Sequence, residues 1–456
     1  MLFRSSGGFM KIRLKTTQII LLLMCLFVSF TSCNTYQNSN ITLPQKNFDD
    51  HISFSDYDCE IFDYVDSNII NYLNKDKTKT LRVYSSSVYD TFRLTEYSQE
   101  WRCSVNGLSA SLPKIVSESC GISIQYSSEM VVIYPLDNQY IKGVLHSDYQ
   151  NVYSYRSDAI VYDDFFGNNL DLVCIVTQYG VNFELKLNDV SLCRNDISYC
   201  IQVDDCYPDI SSNDYIALSS LNTKETKAIV YSPSIVDNRN SWFINCKSTF
   251  VNKQENKYTI KIDLNNYLNN KENLQFPLKL NQSIYIYQAK QPDVAIYSEE
   301  SDTKHYLSQY VCLGQDTQKG IGELLARYES LNKLSIDPNR IVSAKYYIHC
   351  LSAVDNKQEL KLYAVEEDWC SINATWNAKP ALSEKNYAVS CLEAGGNFVF
   401  DITELLREVI NNKKASDSIH TIRNGFAVFA ENGDSNLILA LGDNGMVSPL
   451  LEIVYK

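Results

Sequence analysis

A two-residue alternation of apolar and polar side chains constrains this sequence more than any other feature. Residues 258–264 (YTIKIDL) and 344–350 (AKYYIHC) both place apolar or aromatic residues at every second position. Successive side chains of a β-strand point to opposite faces of the sheet, so this period indicates strands with one buried face. The run 437–441 (LILAL) is continuously apolar and predicts a strand buried on both faces.

Helix signals are few. Thr403, followed by an early acid and paired apolar residues up to Ile410, predicts a helix, and residues 66–73 are a second candidate. At about 150 residues per domain, 456 residues make two or three domains. The sequence therefore predicts an all-β fold of two or three β-sandwich or jelly-roll domains.

The N-terminus predicts export. Basic residues after Met10 precede an apolar run over 19–30 and the small or polar residues Thr31 and Ser32, an arrangement typical of a signal peptide over 1–32. The segment Phe30-Thr31-Ser32-Cys33 resembles the lipobox of Bacteroidetes-type lipoproteins. We therefore expect Cys33 to be lipidated. The alternative is ordinary signal cleavage near Ser32, with no role for Cys33.

Residues 33–50 are uncharged over most of their length and predict a polar tether behind the lipidated cysteine. The expected location is the outer membrane, where the protein would be held through its lipid anchor and would face either the periplasm or the cell surface. The net charge of −13 makes nucleic acid an unsuitable partner.

The remainder divides in two. Residues 51–290 form a β-rich region with a possible sub-boundary near 150, and a new module begins at about 291 after the connector Ala289–Asp293. Cys174 and Cys350 occupy inward positions of predicted strands, where a thiol behaves as a small hydrophobe. Cys193, Cys200 and Cys206 lie in more polar sequence and are the better disulfide candidates.

The C-terminal module, 291–456, resembles the DNRLRE-type β-sandwich modules of secreted bacterial proteins, which overlap carbohydrate-binding module family 96. The resemblance rests on the order of short segments along the whole module, which are Asp293–Ser298, Leu324–Tyr328, Ile341–Lys345, Asp368-Trp369, Thr375–Pro380, Phe400–Thr403, Asn424–Val428 and Pro449–Tyr455. In one departure, Glu323 stands where the family usually has arginine. The resemblance implies a β-sandwich, secretion and polysaccharide binding.

Sugar binding requires aromatic faces flanked by polar side chains, which makes Trp369 and Trp376 ligand candidates. The alternative for both tryptophans is a place in the core. Tyr347 and Tyr363 are further aromatic candidates.

Four cations of the module could meet an acidic polymer or could simply lie on a solvated sheet face, and these are Arg327, Lys345, Lys361 and Lys379.

Catalytic and metal-binding patterns are missing from the sequence. The five histidines are dispersed, and no nucleophile elbow or phosphate-binding loop occurs. Glu431–Asn436 and Asp443-Asn444 are rich in oxygen atoms but lack calcium-loop spacing, so they are expected to form turns. We expect no enzyme and no cofactor; structural calcium at these loops is the alternative to simple turns. A glycosidase carboxylate pair can come from any two strands.

The expected function is that of a membrane-anchored, non-catalytic envelope lipoprotein whose C-terminal sandwich binds polysaccharide. The alternative is a structural or protein-interaction protein of the envelope that binds no glycan; its protein partners are unknown.

Overall fold

The structure of the chain is a computed structural model. It describes residues 59–66, 69–84, 93–105, 107–136, 140–150, 156–167, 170–177, 179–188, 196–210, 212, 214–238, 242–243, 247–254, 256–264, 275–286, 293–316, 318–328, 336–352, 358–391, 396–412, 424–430, 437–444 and 449–456. The predicted signal peptide, the lipidation candidate Cys33 and the tether 33–50 lie outside the described residues, as does the loop Glu431–Asn436.

Strands make up nearly all of the regular structure, which confirms the all-β prediction. In chain order the strands before residue 290 are β1 Cys59–Asp66, β2 Ile69–Asn74, β3 Lys79–Tyr84, β4 Thr95–Glu96, β5 Glu100–Val105, β6 Leu108–Pro113, β7 Ile115–Val116, β8 Ile122–Tyr126, β9 Glu129–Tyr134, β10 Ile141–Gln150, β11 Arg156–Tyr162, β12 Leu172–Thr177, β13 Gly180–Leu187, β14 Asp196–Val203, β15 Cys206–Asp209, β16 Tyr215–Ser220, β17 Thr226–Tyr231, β18 Ser234–Val236, β19 Trp242–Phe243, β20 Lys247–Gln254, β21 Lys257–Asp263 and β22 Leu278–Tyr285. Those after it are β23 Asp293–Tyr297, β24 Tyr310–Asp316, β25 Gly320–Ala326, β26 Ile341–His349, β27 Glu359–Val365, β28 Leu382–Cys391, β29 Asn397–Asp401, β30 Phe426–Ala430, β31 Leu437–Ala440 and β32 Leu450–Tyr455.

The α-helix α1, Thr403–Asn412, confirms the helix predicted from Thr403. The helix predicted over 66–73 is wrong, because this segment contains the end of β1 and most of β2. Ile69 and Tyr72 are buried in β2, which pairs with β1 on one side and β3 on the other. Pairing between strands here outweighs a short local helix pattern.

The first sandwich contains an eight-stranded sheet, ordered β20-β21-β14-β9-β8-β6-β5-β4, and an eleven-stranded sheet with the main path β15-β16-β17-β22-β13-β12-β11-β10-β7. Its core joins Leu112 and Ile133 of the smaller sheet with Val181 and Leu280 of the larger. The core spans both sides of residue 150. The alternation over 258–264 is confirmed, since Tyr258, Ile260, Ile262 and Leu264 are all buried.

The second sandwich pairs a six-stranded sheet, ordered β1-β2-β3-β32-β26-β29, with a seven-stranded sheet that follows β28-β27-β30-β25-β24-β31 and carries β23 on β25. Tyr346 and Ile453 of the first sheet pack against Leu324 and Leu362 of the second. The six-stranded sheet contains strands from both sides of residue 291, since β3 pairs with β32 in antiparallel register. The division into 51–290 and 291–456 stays a prediction about sequence modules.

A buried ion pair crosses the β3–β32 junction. The Nε and Nη2 atoms of Arg82 both lie 2.8 Å from Oε2 of Glu452, and each side chain is 3% exposed. The Tyr347 hydroxyl donates a hydrogen bond to Oε1 of the same carboxylate over 3.4 Å. Both charges are taken out of water here, so loss of either partner would leave the other as a buried charge without its counterion.

The two sandwiches contact each other through an aromatic cluster and a charged cluster. In the aromatic cluster, Tyr231 and Tyr285 of the first sandwich pack with Leu307 of the second. In the charged cluster, Asp214 lies 2.9 Å from Nζ of Lys319. His305 lies beside them, 5% exposed, and burial lowers its pKa to about 4.

Cys174 and Cys350 are buried, as the strand pattern predicted. Burial raises the pKa of the Cys350 thiol to about 11, so the buried group stays a neutral thiol. Within the described residues, no helix is both long enough and apolar enough to span a membrane.

Candidate functional site

The outer face of the seven-stranded sheet is the candidate site. In β27, Leu360, Leu362 and Ala364 point into the sandwich core, so Lys361, Tyr363 and Val365 point away from it. In β30, Val428 points inward and Phe429 outward by the same alternation.

Two half-buried aromatic rings meet on this outer face. The rings of Tyr363 and Phe429 are 5.5 Å apart and edge-to-face. We call this pair the platform. Lys361 of β27 is opposite Phe429 of the neighbouring strand β30. On the other neighbouring strand, β28, the exposed Val389 is opposite Lys361.

These facing residues, Val389, Lys361 and Phe429, form a row that continues across the sheet. Leu324 pairs with Val428, so the next register position places Glu323 opposite Phe429, and Ile296 pairs with Glu323. The row from Val389 to Ile296 therefore crosses five strands, which is about 19 Å at the usual inter-strand spacing.

The loop 366–381 covers the neighbouring part of this face. Trp369, 8% exposed, packs with Val294, Leu325 and Ala427, and its Nε1–H donates to the backbone oxygen of Asn424 over 2.6 Å. The Trp369 ring is part of a small core between the loop and the sheet. Its contribution is to hold the loop in place beside the platform.

Gly425 follows at the turn into β30. It has φ of +73°, and an added Cβ would collide with the backbone oxygen of Ala326. Only glycine adopts this φ without strain and has no Cβ to meet the Ala326 oxygen. Glycine therefore allows the chain to enter β30 close beside the end of β25.

Trp376 and Lys379 lie together at the edge of the platform. The ring of Trp376 packs against the small core, and Nζ of Lys379 lies 4.2 Å from its centroid, a cation–π contact. Lys379 also lies 3.0 and 3.2 Å from the two carboxylate oxygens of Glu323. The ammonium group is thus held between a ring and a carboxylate.

Glu323 is buried, its side chain only 7% exposed. Burial raises the pKa of its carboxyl group, and the charge and hydrogen bond of Lys379 oppose that rise. The ion pair with Lys379 favours the charged carboxylate, and burial favours the protonated form.

Arg327 holds the start of the same loop. Its Nη1 lies 2.8 Å from Oδ1 of Asp368 and donates a hydrogen bond to the backbone oxygen of Trp369. Asp368 is 72% exposed and Arg327 17% exposed, so the pair lies at the surface with its cation covered.

Tyr347, the remaining predicted site residue, lies elsewhere. It is on β26 in the opposite sheet, and its hydroxyl is bonded to Glu452. The structure thus brings together Trp369, Trp376, Tyr363, Arg327 and Lys379, and it leaves Tyr347 on the outer face of the other sheet.

Sequence reasoning missed Phe429 and Glu323. Side chains alternate between the two faces along β30, Phe426–Ala430. Since Val428 faces inward, the next residue, Phe429, faces outward. The sequence marks Glu323 only as a departure from the expected arginine. Its pairing with Lys379 spans 56 residues and depends on the path of the loop.

Among the described residues, no group of three or more His, Cys, Asp or Glu is placed to hold a metal ion.

A comparison with known families finds one match. The model of carbohydrate-binding module family 96 matches residues 331–433. This segment is a module like those of carbohydrate-binding module family 96. A search of curated proteins finds no match to the chain.

The family 96-like module contains both platform residues, Tyr363 and Phe429, together with Trp369, Trp376 and Lys379. Arg327 and Glu323 lie just before its first matched residue. The candidate site is therefore built mainly by the module and completed by β25.

Proposed function

We propose that the chain is a membrane-anchored, non-catalytic lipoprotein of the cell envelope whose second sandwich binds polysaccharide at the platform. The observation that carries the proposal is the half-buried pair Tyr363 and Phe429 within the family 96-like module. Aromatic faces pack well against the C–H surfaces of sugar rings, and nearby polar groups orient the hydroxyls.

The flanking groups support this use of the platform. Lys361 lies beside Phe429, and the Lys379–Glu323 pair follows at the continued register position. Both provide hydrogen-bond donors, and Glu323 adds acceptors, as a hydroxyl-rich ligand requires.

The proposed absence of catalysis rests on how the nearest carboxylates are used. A glycosidase needs two carboxyl groups flanking the bond, one of them a proton donor. Here Glu323 is paired with Lys379, and Asp368 with Arg327. Both carboxylates already hold a cation of this chain, which supports a non-catalytic role for the platform.

The test is affinity electrophoresis of the full-length chain, purified in detergent, through gels that contain a panel of polysaccharides. We expect at least one polymer to retard the protein, and Tyr363→Ala and Phe429→Ala each to weaken that binding by about tenfold or more. Tyr97→Ala is the matched control, because Tyr97 is 48% exposed on the first sandwich. Retardation by none of the polymers, or equal retardation of all three variants, contradicts the proposal.

Anchoring is tested separately. The chain should partition into the detergent phase with an acylated Cys33, and Cys33→Ala should move to the aqueous phase. An unmodified Cys33 in membrane-free protein contradicts the anchor and leaves polysaccharide binding untouched.

A further inference from the structure

The charged cluster between the two sandwiches is built from both of them. Asp214 comes from the first sandwich, just before β16, while Glu300, His305, Ser308 and Lys319 come from the second, between β23 and β25. We call this cluster, together with the aromatic cluster beside it, the junction. Asp214 is the carboxylate through which the charged cluster links the two sandwiches.

Three groups of the second sandwich contact Asp214. Nζ of Lys319 lies 3.0 and 2.9 Å from its two carboxylate oxygens, and the Ser308 hydroxyl donates to Oδ2 over 3.3 Å. Nδ1 of His305 lies 3.9 Å from the same oxygen. Separation of the sandwiches would break these contacts and admit water to the Nδ1 side of His305.

His305 is enclosed on its other sides by its own sandwich. Its Nε2 lies 2.8 Å from Oε2 of Glu300, and its imidazole packs edge-to-face on Tyr297, with 4.9 Å between the ring centroids. Nζ of Lys319 lies 4.9 Å from the centroid of the same tyrosine ring, so a positive charge is close by. Within the described part of the chain, the titratable groups around the imidazole are Asp214, Tyr297, Glu300, Cys312, Asp316 and Lys319.

A proton on His305 is disfavoured while the junction is closed. Burial first, and the charge of Lys319 second, hold the pKa of the imidazole at about 4, so it is neutral at pH 7. Once the sandwiches separate, water can solvate the charged form and the pKa returns toward the usual value of about 6.5. Between these values the open state binds more protons than the closed state, so acid favours opening.

The two carboxylates of the cluster respond to acid in opposite directions. Burial raises the pKa of Glu300, so protonation of this group favours the closed state. Burial also acts to raise the pKa of Asp214, but Lys319 outweighs burial and holds that pKa below its ordinary value. Protonation of Asp214 therefore favours opening, a contribution confined to pH values below about 4.

Neutral contacts complete the junction. Tyr231 and Tyr285 pack with Leu307, and the Tyr285 hydroxyl donates to the backbone oxygen of Asn444 over 3.0 Å. Each sandwich has its own hydrophobic core away from these contacts. The junction can therefore open without either sandwich unfolding.

We propose that the junction is an acid-operated hinge. At neutral pH the Asp214–Lys319 ion pair and the uncharged His305 hold the two sandwiches together, and mild acid separates them while each keeps its own fold. The hinge does not depend on what binds at the platform.

The experiment is hydrogen exchange of the full-length chain in detergent at pH 7 and pH 4.5, with labelling times scaled to the intrinsic exchange rate at each pH. We expect the junction segments 214–217 and 305–309 to exchange about tenfold or more faster at pH 4.5. The core strands β13, 180–187, and β26, 341–349, should change little. Protection of the junction should return when the sample is brought back to pH 7.

Variants test the role of His305. His305→Gln cannot take up a proton and should lose most of the acid response, whereas His146→Gln, at an exposed site of the first sandwich, is the matched control and should keep it. Glu300→Gln removes the opposing carboxylate and should enlarge the response. If His305→Gln does not fold, Asp214→Asn provides a second test, because loss of the partner of Lys319 should open the junction already at pH 7.

Three results would overturn the hinge. The first is equal protection of the junction segments at pH 7 and pH 4.5 in the wild-type chain. The second is an acid response in His305→Gln as large as that of the wild type. The third is a loss of protection in the core strands together with the junction, which would mean that acid unfolds the sandwiches themselves.

Discussion

Replacing Arg82 by methionine should loosen the second sandwich at the junction between β3 and β32. Methionine keeps most of the apolar stem and removes the guanidinium group. Glu452, 3% exposed, would then be a buried carboxylate without its cation. Breaking a buried pair from one side costs about 3–5 kcal/mol, whereas the double replacement Arg82→Met/Glu452→Met removes both charges and should recover most of that loss.

The assay is hydrogen exchange followed by mass spectrometry, because it gives opening free energies for single strands even when the two sandwiches unfold separately. The loss should appear in β26, 341–349, and β32, 450–455, with the core of the first sandwich unaffected. Arg102→Met is the matched control: its ion pair with Glu100 is exposed, Arg102 being 58% accessible, and the variant should lose no more than about 1 kcal/mol. A loss in Arg82→Met no larger than that of Arg102→Met would refute the reasoning.

Three further predictions concern the small core and the contact between the sandwiches. Trp369→Phe replaces the indole by a smaller phenyl ring and removes the donor to the buried Asn424 backbone oxygen, so urea unfolding should show the second sandwich destabilised by at least about 1–3 kcal/mol; a change near zero would contradict a stabilising role for this side chain. Gly425→Ala should cost more than the roughly 1–2 kcal/mol of a positive φ alone, because its Cβ meets the Ala326 oxygen, whereas Gly396→Ala, at φ +77° with more room around its Cβ, should cost only the strain; equal losses in urea would contradict the steric argument. His305 has a folded pKa of about 4, lowered first by burial and then by Lys319, so an unfolded chain with a pKa of about 6.5 binds more protons between these values. The free energy of unfolding should therefore fall as the pH drops from about 6.5 to about 4, a loss that His305→Gln should not show.

Much of the fold could be predicted from local pattern alone. The alternation over 258–264 and 344–350 identified β21 and β26 with their buried faces, since a strand's two faces are encoded at adjacent positions. The helix from Thr403 was likewise found, since its apolar pairs repeat at helical spacing.

What sequence could not reveal are pairings between distant segments. β3 pairs with β32, and no local pattern in 59–84 predicts a partner some 370 residues away. This pairing also has a practical consequence. A fragment that begins at residue 291 would expose the edge of β32 and leave Glu452 without Arg82.

The candidate site shows the same limit. Trp369 and Trp376 were open between core and ligand, and the structure packs both against the small core because the loop 366–381 folds back over the sheet. Tyr363 remains on the outer face, and its neighbour Phe429 comes from a strand more than sixty residues later. Composition and motif order identify the module, while the position of each ring depends on the path of this loop.

The central claim is that polysaccharide binds at the platform of the second sandwich. The most direct measurement is hydrogen exchange of the full-length chain with and without a saturating polymer from the panel. The account predicts slower exchange confined to β27, 359–365, β30, 426–430, and the adjoining loop 366–381. Protection in the first sandwich alone, or on the outer face around Tyr347, would contradict it.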